Sequence, residues 1–220
     1  MKKKISVFVF TAVLSVFAMN VFAQSNEAKL NEILAKMEAV DKKIDTAEIT
    51  YTQEILYSTT KETQQITGVL KFKRPNNIFI VQRTPQEQRI FIDGKRVTIY
   101  TPENAQAVVD NWKDVISGDF TPVSMVNFGS NWKTIKKDHI ISYIGEDENN
   151  YILEISPAKK KDWNMQLHAD KSTMRPVKAI VTAAGLVASV TITDYKINQD
   201  IKKDIFKFKA PEGVEVIELS

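Results

Sequence analysis

The stretch Gly68-Val69-Leu70-Lys71-Phe72-Lys73-Arg74-Pro75-Asn76-Asn77-Ile78-Phe79 decides the fold. Up to Lys73, apolar and polar side chains alternate. That is the period of a strand with one face in a core and one in water. Arg74-Pro75 interrupts the run, because proline fixes its own backbone and holds the preceding residue extended. After Thr84-Pro85-Gln86 the chain continues through Ile90-Phe91-Ile92-Asp93-Gly94-Lys95 to Ile99-Tyr100-Thr101-Pro102. Asp93-Gly94 is a hairpin signal joining two short strands.

The same period extends upstream. Ala47, Ile49, Tyr51, Ile55 and Tyr57 alternate with Thr46, Glu48, Thr50, Thr52 and Glu54. In the next strand Ile66, Gly68, Leu70 and Phe72 share a face opposite Gln65, Thr67, Lys71 and Lys73. Further strands are expected at 77–83, 88–92, 96–100 and 104–109. Before them, Leu30, Ile33, Leu34, Met37 and Val40 fall at helical spacing, with Lys29, Glu32, Lys36 and Glu38 on the other side. That predicts an amphipathic helix over 26–44, packed on a sheet or covering one mouth of it.

Residues 110–132 break the strand pattern. Asp110 or Asn111 can cap a short helix from Trp112 to Ser117, and Thr121-Pro122 is a second helix start. These pieces carry Trp112, Val115, Ile116, Val123, Met125 and Val126, much apolar surface for short elements. Strands then resume at 139–144 and 151–156, across the acidic turn 145–150. In 163–170, Trp163, Met165, Leu167 and Ala169 are in phase. Residues 175–182 and 186–197 form a hairpin around Ala184-Gly185, and final strands are expected near Phe206 and Val214. An antiparallel meander this long curls. The expected fold is α+β: a curved, incomplete antiparallel barrel of about ten or eleven strands. An N-terminal helix and short lid helices cover an apolar cavity.

The first 23 residues read as a processing segment. Lys2-Lys3-Lys4 precede an apolar run, and Val21-Phe22-Ala23 suits cleavage after Ala23. The expected mature chain is one domain, residues 24–220, and the absence of repeats and linkers agrees. The formal charge of +3 equals the charge of those three lysines, so the mature surface is near neutral. The 220 residues contain no cysteine, which excludes disulfides, thiolate metal sites, a cysteine nucleophile and a lipid-accepting cysteine.

The two histidines, His139 and His168, lack metal spacing. His168 has Asp170 two residues on, the partner a general base needs, but no nucleophile motif or glycine-rich phosphate loop accompanies it. No catalytic residue, metal or cofactor is expected. Lys136-Lys137 and Lys159-Lys160-Lys161 are short runs on a near-neutral chain, so nucleic acid is not an expected partner.

The order strand, Lys73-Arg74-Pro75-Asn76, strand, Asp93-Gly94-Lys95, strand, Tyr100-Thr101-Pro102 resembles the periplasmic outer-membrane lipoprotein carriers of the LolA type. The ending Phe206-Lys207-Phe208-Lys209-Ala210-Pro211-Glu212-Gly213-Val214 is similar to the family's closing pattern. The resemblance implies a non-enzymatic periplasmic carrier, monomeric, that hides the acyl chains of lipoproteins. It also implies an inner-membrane ABC-type release complex as donor and an outer-membrane acceptor. Arg74 matches the family's arginine that bonds lid carbonyls and favours the closed, empty state. The acyl chains would meet Tyr51, Ile55, Leu70, Phe72, Trp163 and Met165 on the strands, and the six lid residues named above. The alternative on the same fold is a periplasmic lipid- or lipopeptide-binding sensor.

Overall fold

The computed structural model describes residues 26–111, 132–159 and 162–219. The alternating segments become strands of one open sheet. In chain order they are β1 (Thr46–Tyr57), β2 (Thr63–Lys73), β3 (Asn77–Gln82), β4 (Gln88–Ile92), β5 (Arg96–Thr101) and β6 (Gln106–Asn111). After the undescribed segment come β7 (His139–Glu146), β8 (Asn150–Pro157), β9 (Trp163–Asp170), β10 (Pro176–Ala183), β11 (Leu186–Ile197) and β12 (Glu215–Glu218). Helix α1 spans residues 26–41, and α2 is Trp132–Asp138.

The spatial order is β12-β6-β5-β4-β3-β2-β1-β11-β10-β9-β8-β7. Two meanders are therefore joined at the centre, where β1 pairs antiparallel with both β2 and β11. Residues Ala47 and Ile197 meet across that seam. The register keeps one face apolar throughout the centre: Ala47 opposes Phe72, Ile49 opposes Leu70, and Leu70 opposes Ile80. On the other wing Val181 opposes Met165, and Met165 opposes Ile155. Helix α1 covers this face. Its Leu30, Ile33, Leu34 and Met37 are buried in the main core with those strand residues. Burying four such side chains is worth on the order of 10 kcal/mol.

The structure adds to the expected sheet in three places. Among the described residues it has twelve strands, and β12 runs parallel to β6 at one edge. Phe206, expected near a strand, instead ends a 3₁₀ turn, Lys203–Phe206, where its buried side chain leads the tail onto the back of the sheet. Residues 102–104 form another 3₁₀ turn, so β6 starts later than alternation suggested. Helix α2 was not anticipated.

The back of the sheet is not uniformly wet. Phe79 and Phe91 lie 4.8 Å apart, and Phe208 of the tail stacks near Phe91 (5.4 Å) and Tyr100 (5.5 Å). Arg96 Nη2 donates to Glu218 Oε1 at 2.9 Å, tying β12 to β5 across β6. A small second core thus straps the convex side of β3–β6.

Gly68 lies opposite Tyr51, and a Cβ there would sit 2.5 Å from Tyr51 Cζ and 2.8 Å from Cε1. The tyrosine ring occupies the space a side chain would need. We expect Gly68→Ala to destabilise the protein by about 1–3 kcal/mol in urea unfolding, the usual cost of overpacking. The loss should shrink in a Tyr51→Leu background. An unchanged unfolding midpoint for the single variant would contradict this packing.

Candidate functional site

Between α1 and the centre of the sheet lies a small apolar pocket, with a cavity of about 40 Å³. That is far below the volume of an occupied small-molecule site, so its own side chains nearly close the pocket. Met37, Val40 and Ile44 line it from the helix side. Ala47, Ile49 and Tyr51 come from β1, Leu70 and Phe72 from β2, and Val190, Ile192 and Tyr195 from β11. Strand period and register put these side chains together: Tyr51 opposes both Gly68 and Ile192, and Ile49 opposes Leu70 and Tyr195. Asp41 and Arg175 are the charged residues of the lining.

Arg74 lies beside the pocket, bonded to Asp41 and Ile44 of its lining. It follows β2, and its peptide bond to Pro75 is cis. Its Nε donates to the Ile44 carbonyl at 2.7 Å. Its Nη2 donates to the Asp41 carbonyl at 2.7 Å and to Asp41 Oδ2 at 2.8 Å. Asp41 ends α1, where the helix dipole favours a cation, and its carbonyl also accepts from Ile44 N at 2.9 Å; Ile44 lies three residues beyond the helix. The backbone contributes too, as Arg74 N donates to the Asp45 carbonyl at 2.9 Å. The guanidinium lies 5.9 Å from the Phe72 ring centroid. Arg74 thus pins the end of α1 to the end of β2, directly beside the pocket.

Burial pushes the Tyr51 phenol up to about 12. Tyr195 is raised in the same direction, mainly by burial, with Arg175 opposing. Both phenols stay neutral at ordinary pH.

The residues expected to meet acyl chains divide into three groups. Tyr51, Leu70 and Phe72 line this pocket. Ile55, Trp163 and Met165 do not. Ile55 is half-buried further along β1, and Met165 is buried on β9 within the main core. Trp163 starts β9, half-buried, with its ring 5.5 Å from His139. Trp112, Val115, Ile116, Val123, Met125 and Val126 lie outside the described residues. Sequence reasoning missed Asp41, Arg175 and Tyr195. Their signal was weak, since each is one polar or aromatic residue at the end of an element. Tyr195 also lies beyond a register shift at Thr193 of β11 that re-aims it.

His168 does not pair with Asp170. Asp170 Oδ1 instead accepts from Ser172 Oγ at 2.6 Å, Thr173 Oγ1 at 2.8 Å and Thr173 N at 2.7 Å. The carboxylate nearest the imidazole is Asp147, 4.0 Å from Nδ1. Burial, and then Lys178, hold the His168 pKa below its usual value. Among the described residues no group of three or more metal-ligating side chains converges.

A curved open sheet with an apolar pocket under one helix defines a class of pocket-bearing sheet proteins, and the same chain path occurs elsewhere. An uncharacterized conserved protein from Thermus thermophilus superposes with a TM-score of 0.58 at 14% identity, covering 86% of this chain and 99% of that one. In sequence, the outer-membrane lipoprotein carrier protein of Histophilus somni (strain 129Pt) is 31% identical over 79% of this chain and 81% of its own length. That of Hahella chejuensis is 28% identical over 80% and 83%. The family model described as outer membrane lipoprotein carrier protein LolA matches residues 42–209, and the chain belongs to that family.

The raised Tyr51 pKa has a pH consequence. The folded state keeps a phenol proton that the unfolded chain releases near pH 10. The associated stability is therefore complete below about pH 10 and lost as pH rises towards 12, amounting to about 2–3 kcal/mol. Urea unfolding between those values should fall more steeply for wild type than for Tyr51→Phe. Equal slopes would mean that the phenol is not desolvated.

Proposed function

We propose that this protein carries lipoproteins through the periplasm with their acyl chains in the pocket under α1. The observation that carries the reading is that pocket, lined by Tyr51, Leu70, Phe72, Ile192 and helix side chains, in a member of a lipoprotein carrier family. A long acyl chain of about fourteen methylenes represents on the order of 11 kcal/mol of apolar burial, so it needs such cover in water. In this reading the chain is exported and cut after Ala23, and residues 24–220 act as a monomeric carrier domain. It takes cargo from an inner-membrane ABC-type release complex and yields it to an outer-membrane acceptor, with no covalent chemistry. Among the described residues no helix is long and apolar enough to cross a membrane.

A carrier must also let go. Arg74 supports a latch: its bonds to Asp41 and Ile44 favour α1 seated on the sheet, and cargo entering beneath α1 works against them. Hydrogen bonds from a charged donor are worth about 1.5–3 kcal/mol each. A bias of a few kcal/mol towards the closed, empty state is enough to return bound lipid to an acceptor.

Native mass spectrometry of the protein purified from its own periplasm tests the carrier reading. Stoichiometric lipoprotein or lipopeptide, lost in detergent, is the expected result. A free glycolipid or fatty acid would instead favour a lipid-binding sensor. For the latch, Arg74→Leu should load cargo and pass it to acceptor membranes at least tenfold more slowly. Asp41→Asn, which keeps both carbonyl bonds, should show a smaller defect. Transfer at the wild-type rate by Arg74→Leu would sink the latch.

A further inference from the structure

Arg175 stands out among the residues lining the pocket. Its guanidinium lies 4.5 Å from the centroid of the Tyr195 ring. Among the described residues it makes no side-chain hydrogen bond or ion pair. Asp41, the other charge of the lining, is already taken by Arg74 at 2.8 Å. A guanidinium has five donors and stays charged, and half-buried Arg175 keeps its donors available at the pocket wall.

The chain works to keep it there. Asp170 caps the turn after β9 through its bonds to Ser172 and Thr173, and Met174 N donates to the Asp170 carbonyl at 2.7 Å. Asp170 N donates in return to the Arg175 carbonyl at 2.9 Å. Met174 takes φ +55°, a left-handed conformation that a residue with a Cβ adopts at a cost. A register shift between Pro176 and Lys178 follows at once. Turn, strained residue and bulge together deliver Met174, Arg175 and Pro176 to the pocket wall. Such strain persists where surrounding structure over-determines it, as at ligand clamps.

We propose that Arg175 is the polar anchor of the pocket. It donates hydrogen bonds to the head oxygens of an acyl chain, ester carbonyl or carboxylate, while the methylenes lie between α1 and the sheet. This rests on the carrier reading and adds to it the part of the ligand that is recognised. Stacking on Tyr195 holds the guanidinium plane, so little side-chain freedom is lost on binding. The arrangement gives orientation: the chain enters tail first, and its head stops at Arg175.

The test is displacement of a bound neutral dye, N-phenylnaphthylamine, by three ligands with matched tails: palmitate, methyl palmitate and hexadecene. Arg175→Met should bind the oxygen-headed ligands about tenfold more weakly, the value of one charged hydrogen bond, and hexadecene as well as wild type does. Arg175→Gln, which keeps a donor, should lose less. A larger loss for palmitate assigns the anchor to a carboxylate head, and equal losses assign it to an ester. Unchanged affinity for both oxygen-headed ligands, or the same loss for all three, would overturn the anchor alone. A wild-type protein that binds none of the three would overturn the carrier reading with it.

Discussion

An open sheet with an apolar concave face must be covered, and among the described residues α1 covers the centre of that face. The rest of the architecture follows from that constraint. α1 buries Leu30, Ile33, Leu34 and Met37 against strands from both meanders. Its far end does not pack down fully. Val40 and Ile44 stand over Tyr51, Leu70 and Phe72 with space between them. Where close packing stops, polar bonds take over, and Arg74 ties the last turn of the helix to the sheet. A helix seated partly by apolar contact and partly by three directed hydrogen bonds thus bounds the pocket.

The convex side is built differently. There the tail lays Phe206 and Phe208 over β3–β6, and β12 adds a parallel strand to β6. Aromatic rings 4.8 to 5.5 Å apart close this side by packing. It stiffens the half of the sheet that carries Arg74. Among the described residues the concave face is covered by α1 and, through Trp132, by α2.

Most of the strand pattern could be read along the chain, because a two-residue period is a local property and survives without tertiary knowledge. The alternation in Ile66, Gly68, Leu70 and Phe72 stated both the strand and the face that is buried. The N-terminal helix was equally plain from Leu30 to Met37. Phe206 misled, because an apolar residue between lysines looks like a strand whether it sits in one or anchors a 3₁₀ turn. α2 was missed because Trp132–Asp138 is too short and too polar to show a helical stripe. Tyr51, Leu70 and Phe72 line the pocket and share a phase with the core. Trp163 and Met165 share that phase as well, yet sit on another wing of the sheet, and phase alone does not tell the wings apart.

By itself the sequence determined the N-terminal helix, most of the strands with their apolar faces, and the family through the Lys73–Asn76 and Asp93–Lys95 motifs. Only the tertiary structure decided that β1 is the seam between two meanders, that Arg74 meets Asp41, and that Arg175 lies on Tyr195 beside the pocket. The physical reason is range. Side-chain periodicity records which face meets water, and it is written within a few residues. Partners brought together by pairing β1 with β11 are separated by about half the chain or more, so no local pattern encodes which charge will find which neighbour.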